Sequence, residues 1–237
     1  MKFTSLASSS RGNAYLVQAD GVSPLLLEAG LPIKQLRDKL RAHGVAISDL
    51  AGCLVSHEHM DHAKAVKDLL KAGVDCWMST GTAQALGALS HHRSHFNFES
   101  LKISGYLIIM FELEHDAEQP MGFLIAHGDD RLLFIPDTAF VQNQFEGVTI
   151  LVIECNNADD ILSEKILNGS IPTFVGRRIR RNHMSLRNVK ELILANDMAR
   201  TLREIWLIHL SSANSSEERF KKEIQELTGV PVHIAEE

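Results

Sequence analysis

The run from His57 to His62 constrains this chain more than any other feature, because four of its six residues are potential metal ligands: His57, His59, Asp61 and His62. An apolar, strand-like stretch precedes the run and a helix-like stretch follows it. In an extended segment, side chains two residues apart point to the same side, so His57 and His59 can hold one ion. Asp61 and His62 then aim at a second point nearby. Imidazole and carboxylate groups suit zinc and other first-row divalent ions.

Three other apolar runs deliver a His or Asp at the point where they end. They are Tyr106–Leu113 followed by His115, Leu132–Ile135 followed by Asp137, and Ile205–Ile208 followed by His209. Loops at strand ends collect the functional groups of α/β domains. Chance clustering on a solvated loop would be the better interpretation of a lone His-x-His pair. Here a His or Asp follows four separate apolar runs, and this repetition favours a metal site instead.

The composition is that of a globular protein of 237 residues with 45% apolar residues and a net charge of −6. No repeat or linker divides the sequence, so we expect a single domain over residues 1–237. The cysteines Cys53, Cys76 and Cys155 form no CxxC pair and are predicted to be reduced and buried. The N-terminus lacks the apolar core of a secretory signal, and no segment reaches the ~20 apolar residues of a membrane span. We therefore expect a cytoplasmic protein that does not bind membranes.

Strand-like runs alternate with single helices, a pattern that suits two packed sheets with helices outside them. The predicted strands are 3–6, 14–18, 25–27, 54–55 with its flanking residues, 106–113, 123–126, 132–135, 149–153 and 205–208. Helices are predicted over 33–42 and 63–72, and a capped helix is predicted to begin in the stretch 215–218 and to end before Gly229.

With these residues identified, the chain resembles the metallo-β-lactamase superfamily over nearly its full length. The resemblance rests on the His57–His62 run, His115, Asp137, His209 and the acidic strand end Glu28-Ala29-Gly30. It implies an α/β (α+β) fold, the four-layer αβ/βα sandwich of that family. It also implies a metal-binding role for each residue. His57, His59 and His115 would bind one metal, Asp61, His62 and His209 would bind the other, and Asp137 would bridge the two.

Within the superfamily the chain looks most like the YycJ/WalJ-type proteins, which are described as exonuclease-like, with PhnP-type phosphodiesterases more distant. The supporting segments are Ser5–Asn13, His115–Ala117 with Pro120 and Gly122, Glu154–Asn157, His183–Ser185 and His209–Asn214. Three positions depart from the pattern. Glu28 replaces the usual Asp, Asn157 replaces a frequent His, and Arg181-Asn182 precede His183 where Gly is common. These departures leave the metal ligands intact and the substrate open.

Two divalent ions ~3.5–4 Å apart can ionise a shared water and so supply a bridging hydroxide. Zinc is the preferred cofactor, while manganese and iron accept the same donors. Asp61 and His183 are the predicted catalytic residues, with His183 holding a phosphate oxygen or protonating the leaving oxygen. Many zinc β-lactamases resemble this site but carry a cysteine ligand and are exported. Because this chain offers Asp137 and no matching cysteine, antibiotic hydrolysis is disfavoured.

Four arginines precede His183 in an otherwise acidic chain: Arg177, Arg178, Arg180 and Arg181. Guanidinium groups bind phosphate oxygens in pairs, so the run, together with His183, is a candidate phosphate-binding segment. A solvated, charged loop is the alternative, and adjacency to His183 favours the functional interpretation.

The sequence therefore predicts a dinuclear-metal phosphodiesterase or nuclease acting on DNA, with a YycJ/WalJ-like exonuclease as the leading form. RNA or a small cyclic phosphodiester is an alternative substrate. A glyoxalase II-like thioester hydrolase would use the same metals, and a non-catalytic metal-binding module is disfavoured by the intact ligand set. Among the remaining side chains, His91, His92 and His95 are expected at the surface, although a substrate rim or second metal site stays open. Glu58 and Met60 are expected to face away from the metals.

Overall fold

The computed structural model describes residues 1–235 and has a mixed α/β fold. Contacts within the chain divide it into two compact units. The first unit contains Met1–Glu112 and Ala117–Asp129, and the second contains Leu113–Asp116 and Asp130–Ala235. The single domain expected over 1–237 stays a prediction.

The first unit contains a six-stranded sheet in which strand order follows chain order. Its strands are β1 (Lys2–Ser9), β2 (Gly12–Gln18), β3 (Leu25–Leu27), β4 (Gly52–Leu54), β5 (Cys76–Trp77) and β6 (Ser94–His95). The first three strands pair antiparallel, and β3 to β6 pair parallel. Strands β3 and β4 are buried throughout, as expected for parallel strands covered on both faces.

Four helices accompany this sheet: α1 (Ile33–Ala42), α2 (Met60–Ala63), α3 (Val66–Lys71) and α4 (Thr80–Ala85). Helix α1 has the predicted bounds and buries Leu36 and Leu40. The helix predicted over 63–72 is present as the shorter α3, which buries Val66, Leu69 and Leu70, and the separate helix α2 ends at Ala63. Ala65 N–H donates to Ala29 O (2.8 Å), and Ala29 N–H donates to His62 O (2.7 Å). These bonds to Ala29 interrupt the helix and fix the backbone that carries His62.

The rest of the first unit is an antiparallel meander of β7 (Ser100–Ile103), β8 (Tyr106–Glu112) and β9 (Met121–His127). Strands β7 and β8 are joined by Ser104 and Gly105, whose φ angles are 46° and 90°. Two consecutive residues with positive φ form the two-residue turn that matches the twist of a hairpin.

The second unit contains four parallel strands, β10 (Asp130–Ile135), β11 (Ile150–Glu154), β12 (Glu204–Ile208) and β13 (Val232–Ile234). Four helices belong to it: α5 (Asp159–Leu167), α6 (Thr173–Asn182), α7 (Leu186–Ala195) and α8 (Glu217–Thr228). Strand β11 is fully buried. Helix α8 lies where it was predicted and ends at Gly229 in the left-handed conformation, although its N-cap residue Ser216 makes no side-chain capping hydrogen bond.

All nine predicted strands are present, with ends that differ from the prediction by at most three residues, whereas β5, β6, β7 and β13 were not predicted. The three cysteines are free and buried, as expected, and Cys53 lies opposite Cys76 in the register of β4 and β5. None of the helices in residues 1–235 combines the length and apolar character that crossing a membrane requires.

Candidate metal ligands and active-site residues

In the first unit, the loop after β4 brings the four predicted ligands of the His57–His62 run together. His57 Nε2 lies 3.2 Å from His59 Nδ1, and His62 Nε2 lies 3.5 Å from Asp61 Oδ2. The rings of His57 and His62 have centroids 4.2 Å apart. Four donors of the type that zinc accepts thus share one small volume. Their role as ligands stays a prediction.

Glu28 lies behind this loop and is fully buried. Its carboxylate accepts from Ser56 N–H (3.2 Å to Oε1), and His62 Nδ1 lies 3.5 Å from Oε2. Burial raises the pKa of Glu28, and contacts with His62 and Ser56 offset only part of that rise. Glu28 therefore fixes both the loop entry and one imidazole, although the sequence indicated only an acidic strand end at this position.

Two neighbouring residues complete the support of Asp61 and His62. Asn13 Nδ2 donates to Asp61 O and lies 3.2 Å from His62 Nε2. A Cβ atom on Gly30 would lie 1.7 Å from Asp61 O, so only glycine permits this approach. The Ser5–Asn13 and Glu28–Gly30 segments thus share one physical role, which is to hold the loop that carries the predicted ligands of the His57–His62 run.

Glu58 and Met60 behave as expected. Glu58 Oε1 accepts from Glu118 N–H (2.8 Å), and 58% of Met60 is exposed. His95, by contrast, is held by Asp75 (2.7 Å from Nε2 to Oδ1) and stacks on Trp77. Among residues 1–235, no group of metal-type donors includes His91, His92 or His95.

In the second unit, strand register explains why distant residues converge. Glu154, the last residue of β11, lies opposite Ile208, the last residue of β12, and β10 runs parallel beside β11. Parallel strands end at the same edge of a sheet, where ligands of α/β proteins bind. Asp137 and His209 follow the ends of β10 and β12 at that edge, and His209 has a left-handed backbone with φ of 52°.

Glu154 lies at the centre of this cluster, and sequence reasoning assigned it no role. Its Oε1 lies 2.6 Å from His183 Nδ1 and 3.1 Å from His209 Nδ1. Its Oε2 accepts from the N–H groups of Thr138 (3.1 Å) and Met184 (3.0 Å). Asp137, Glu154, His183 and His209 form one group of metal-type donors. The sequence feature that could have identified Glu154 is its position as a carboxylate at the end of an otherwise apolar strand.

The Glu154–His183 contact shifts the pKa of both groups towards their charged forms. Burial favours a neutral Glu154, but the charge and hydrogen bond of His183 outweigh burial, so the pKa of Glu154 is lowered. Burial likewise opposes a charged His183, but the Glu154 carboxylate outweighs it and the pKa of His183 is raised. An ionised Glu154 can only accept, so His183 Nδ1 carries the proton of this hydrogen bond.

His115 lies in the same unit, near Asp137. Its Nδ1 contacts Asn182 O at 2.8 Å, and its Nε2 lies 3.8 Å from Asp137 Oδ2. Because a carbonyl oxygen only accepts, Nδ1 donates and Nε2 is the nitrogen available as a ligand. Burial lowers the pKa of His115, which favours the neutral form that binds metals.

The four arginines lie on helix α6, and not on the charged loop that the alternative interpretation expected. Arg178 donates to Asp116 Oδ2 (3.0 Å from Nη2), and Arg180 donates to Ser163 Oγ (2.8 Å). For the side chains of Arg177 and Arg181, no hydrogen bond or ion pair is found within the described part of the chain. The four arginines are therefore not equivalent.

Comparison with known proteins identifies the family. Residues 25–210 match the model of the "Beta-lactamase superfamily domain". The chain is 28% identical to exodeoxyribonuclease YycJ of Bacillus anthracis, covering 96% of this chain and 89% of that protein. It is 29% identical to exodeoxyribonuclease WalJ of Streptococcus pneumoniae serotype 2, with 92% and 84% covered.

Among solved structures, the fold is similar to the metallo-β-lactamase fold protein YhfI of Bacillus subtilis. The TM-score is 0.75 at 18% identity, over 99% of this chain and 96% of that one. This match confirms the predicted α/β fold class of two sheets with helices, and the family match covers most of the sequence. The chain therefore belongs to the metallo-β-lactamase superfamily, is similar within it to the YycJ/WalJ-type proteins, and is a metal-dependent hydrolase.

Proposed function

We propose that this protein is a dinuclear-metal phosphodiesterase that acts on nucleic acid, with exonucleolytic cleavage of DNA as its reaction. The support is the similarity, over nearly the full chain, to two proteins named exodeoxyribonucleases. In this proposal the ligands are those expected from the sequence: His57, His59 and His115 for one ion, Asp61, His62 and His209 for the other, and Asp137 as the bridge.

The donor chemistry fits this assignment. Imidazole nitrogens with a few carboxylates are the set that zinc, manganese and iron accept. Buried supporting groups hold several of these imidazoles, as Glu28 does for His62 and Asn182 O does for His115. When bound, two divalent ions lower the pKa of a water and polarise the phosphate. We propose zinc or manganese as the metal, and the cytoplasm as the location because all three cysteines are free.

The observation that carries the phosphodiester assignment is the contact between Glu154 and His183. Glu154 Oε1 accepts from His183 Nδ1, which leaves Nε2 to face a substrate. As an imidazolium, His183 can hold a phosphate oxygen and then protonate the leaving oxygen. Glu154 is the positioning residue in this scheme, since it orients the ring and stabilises its charge.

Comparison of two substrates tests this role directly. DNA releases a poor alkoxide leaving group, whereas bis(p-nitrophenyl) phosphate releases a stable phenolate that needs no proton. We expect His183→Ala, assayed with zinc or manganese, to lower the rate on end-labelled DNA by about 10²- to 10⁴-fold. The loss on bis(p-nitrophenyl) phosphate should be much smaller, and metal content should be unchanged. An equal loss on both substrates would contradict the proton-donor role.

The same assay separates the alternative functions. Lactoylglutathione hydrolysis in preference to either phosphodiester would select the thioester hydrolase, and preference for a cyclic dinucleotide would select the small-molecule phosphodiesterase. No turnover of any substrate by metal-loaded protein would overturn the proposal.

A further inference from the structure

One face of helix α6 combines an exposed aromatic ring with positive charge. At 3.6 residues per turn, positions i, i+3, i+4 and i+7 lie on one side of a helix. Phe174 is 75% exposed, and the arginines at these spacings are exposed as well. The residues of this face, called here the α6 face, are Phe174, Arg177, Arg178 and Arg181.

The opposite side of α6 is buried, and this fixes which residues reach solvent. Gly176 packs against α5, where an added Cβ would lie 2.3 Å from Ile166 Cδ1. A larger residue at position 176 would therefore require Ile166 to shift, so the side of α6 that carries Gly176 faces α5. The α6 face is therefore held outward by packing.

The charges of this face are only partly neutralised. Arg178 is paired with Asp116, but no acceptor within residues 1–235 is found for Arg177 or Arg181. The whole chain carries a net charge of −6, so two unpaired guanidinium groups beside an exposed ring form a local exception. Guanidinium groups of this kind suit phosphate oxygens.

Helix α6 also leads directly to His183 along the chain. Helix α6 ends at Asn182, so Phe174 lies nine residues before His183, or about 13 Å along a helix axis. At 3.4 Å per stacked nucleotide, about four nucleotides span this length. An aromatic ring stacks on any unpaired base, whereas the bases of a duplex are already stacked on each other.

We propose that the α6 face binds single-stranded nucleic acid and leads its end towards His183, with Phe174 stacking on a base and Arg177 and Arg181 contacting phosphates. This inference rests on the proposed function, because it names the form of nucleic acid that the hydrolase takes. It adds a base-stacking residue that phosphate chemistry alone does not require.

The test is binding of a fluorescent oligothymidine with phosphorothioate linkages, which resist cleavage, to the metal-loaded full chain. We expect Phe174→Ala to weaken binding of the single strand by about 5- to 100-fold and to leave the salt dependence unchanged. Phe174→Trp should retain affinity, whereas Phe174→Leu should not. Arg177→Ala and Arg181→Ala should each reduce the slope of log K against log salt by about 0.7.

Two matched controls come from the same unit. Arg187 is 68% exposed and paired with Asp159, and Leu167 is 88% exposed but not aromatic. Arg187→Ala and Leu167→Ala should bind the single strand as the wild type does. A blunt duplex of the same linkage should bind equally well to wild type and Phe174→Ala.

The inference would be overturned by wild-type binding of Phe174→Ala, by equal dependence of duplex and single strand on Phe174, or by control effects as large as those of the α6 face. Loss of binding to phosphatidylserine vesicles in Phe174→Ala, with strand binding intact, would assign the face to a membrane and also overturn it. Failure of the proposed function is distinct, because it appears as absent turnover of bis(p-nitrophenyl) phosphate by the wild type.

Discussion

At the scale of single residues, buried carboxylates position the histidines of both units. Glu28 contacts His62 in the first unit, and Glu154 contacts His183 and His209 in the second. A metal-type imidazole commonly donates its second nitrogen to such a partner, which fixes its tautomer and orientation. The carboxylates behind the loops therefore determine how these histidines are oriented.

Glu28 provides a prediction about stability. Glu28→Ala should lower the free energy of unfolding by about 1–3 kcal/mol, because Ser56 N–H would lose its acceptor in a buried position. Glu28→Gln should lose less, since its amide oxygen can still accept. Urea denaturation at fixed metal concentration measures the difference. The exposed Glu112→Ala serves as control, and an equal effect of Glu28→Ala and Glu112→Ala would contradict the assigned role.

At the scale of elements, strand register and helix contacts determine where side chains meet. Strands β10 to β12 end at one edge because their residues pair in parallel register, and α6 lies against α5 through Gly176. His183 follows α6 directly, so the packing of this helix also determines where that imidazole lies.

Gly176→Ala tests the packing of α6. The added methyl group would overlap Ile166, so we expect a loss of about 1–3 kcal/mol in the free energy of unfolding. Ile166→Ala removes the atoms that clash, and the double variant should recover part of the loss, with a coupling energy of about 0.5–3 kcal/mol. Chemical denaturation of the four proteins measures this coupling. Strictly additive effects would show that the contact is absent.

A second element-scale prediction concerns Arg219 of α8, which donates to Asp160 of α5 and to Glu223. The hydrogen bond from Arg219 is the largest cause of the lowered pKa of both carboxyl groups. A lowered carboxyl pKa stabilises the fold above the unfolded value of about 4, and this stabilisation disappears as the pH falls through the folded pKa.

Arg219→Gln should therefore lower the free energy of unfolding at pH 7 by about 1 kcal/mol or less, since these groups are partly exposed. The difference from wild type should shrink below about pH 4. Urea denaturation at several pH values measures it, with Arg187→Gln as the control. A difference that stays constant across the pH range would contradict this account.

At the scale of the whole molecule, the proposed ligands come from positions between 57 and 209, so bound metal should stabilise the folded chain. Removal by a chelator should lower the melting temperature by about 5–10 °C if free metal had been 100 times the dissociation constant. Differential scanning fluorimetry with and without chelator measures this shift.

Elemental analysis complements that measurement. Asp61→Ala and Asp137→Ala should bind fewer than two equivalents of metal. Glu58→Gln is the control, because Glu58 belongs to the same motif but accepts a hydrogen bond from Glu118 N–H. This variant should bind as much metal as the wild type. Unchanged stoichiometry in both alanine variants would contradict the ligand assignment.

Local sequence patterns were sufficient to predict most strands and the candidate ligands of this protein. Apolar runs predicted nine strands, and the residues that follow them provided the candidate ligands. Periodicity was not sufficient for β5 and β6, which have two residues each and form only through parallel partners. Helix α6 escaped prediction because its buried side offers Gly176 and Asn182 rather than an apolar stripe. Helix α7 did carry such a stripe, with Val189, Leu192 and Ile193 buried, so its signal was available.

The amino-acid sequence alone thus determined the chemistry available, because residue types and their spacing are local properties. Only tertiary structure decided which of those groups meet. Glu154 contacts His183 across 29 positions and His209 across 55, and Glu28 reaches Ser56 across 28. Such contacts depend on strand register and on close packing at single glycines, and both are set by the folded chain as a whole.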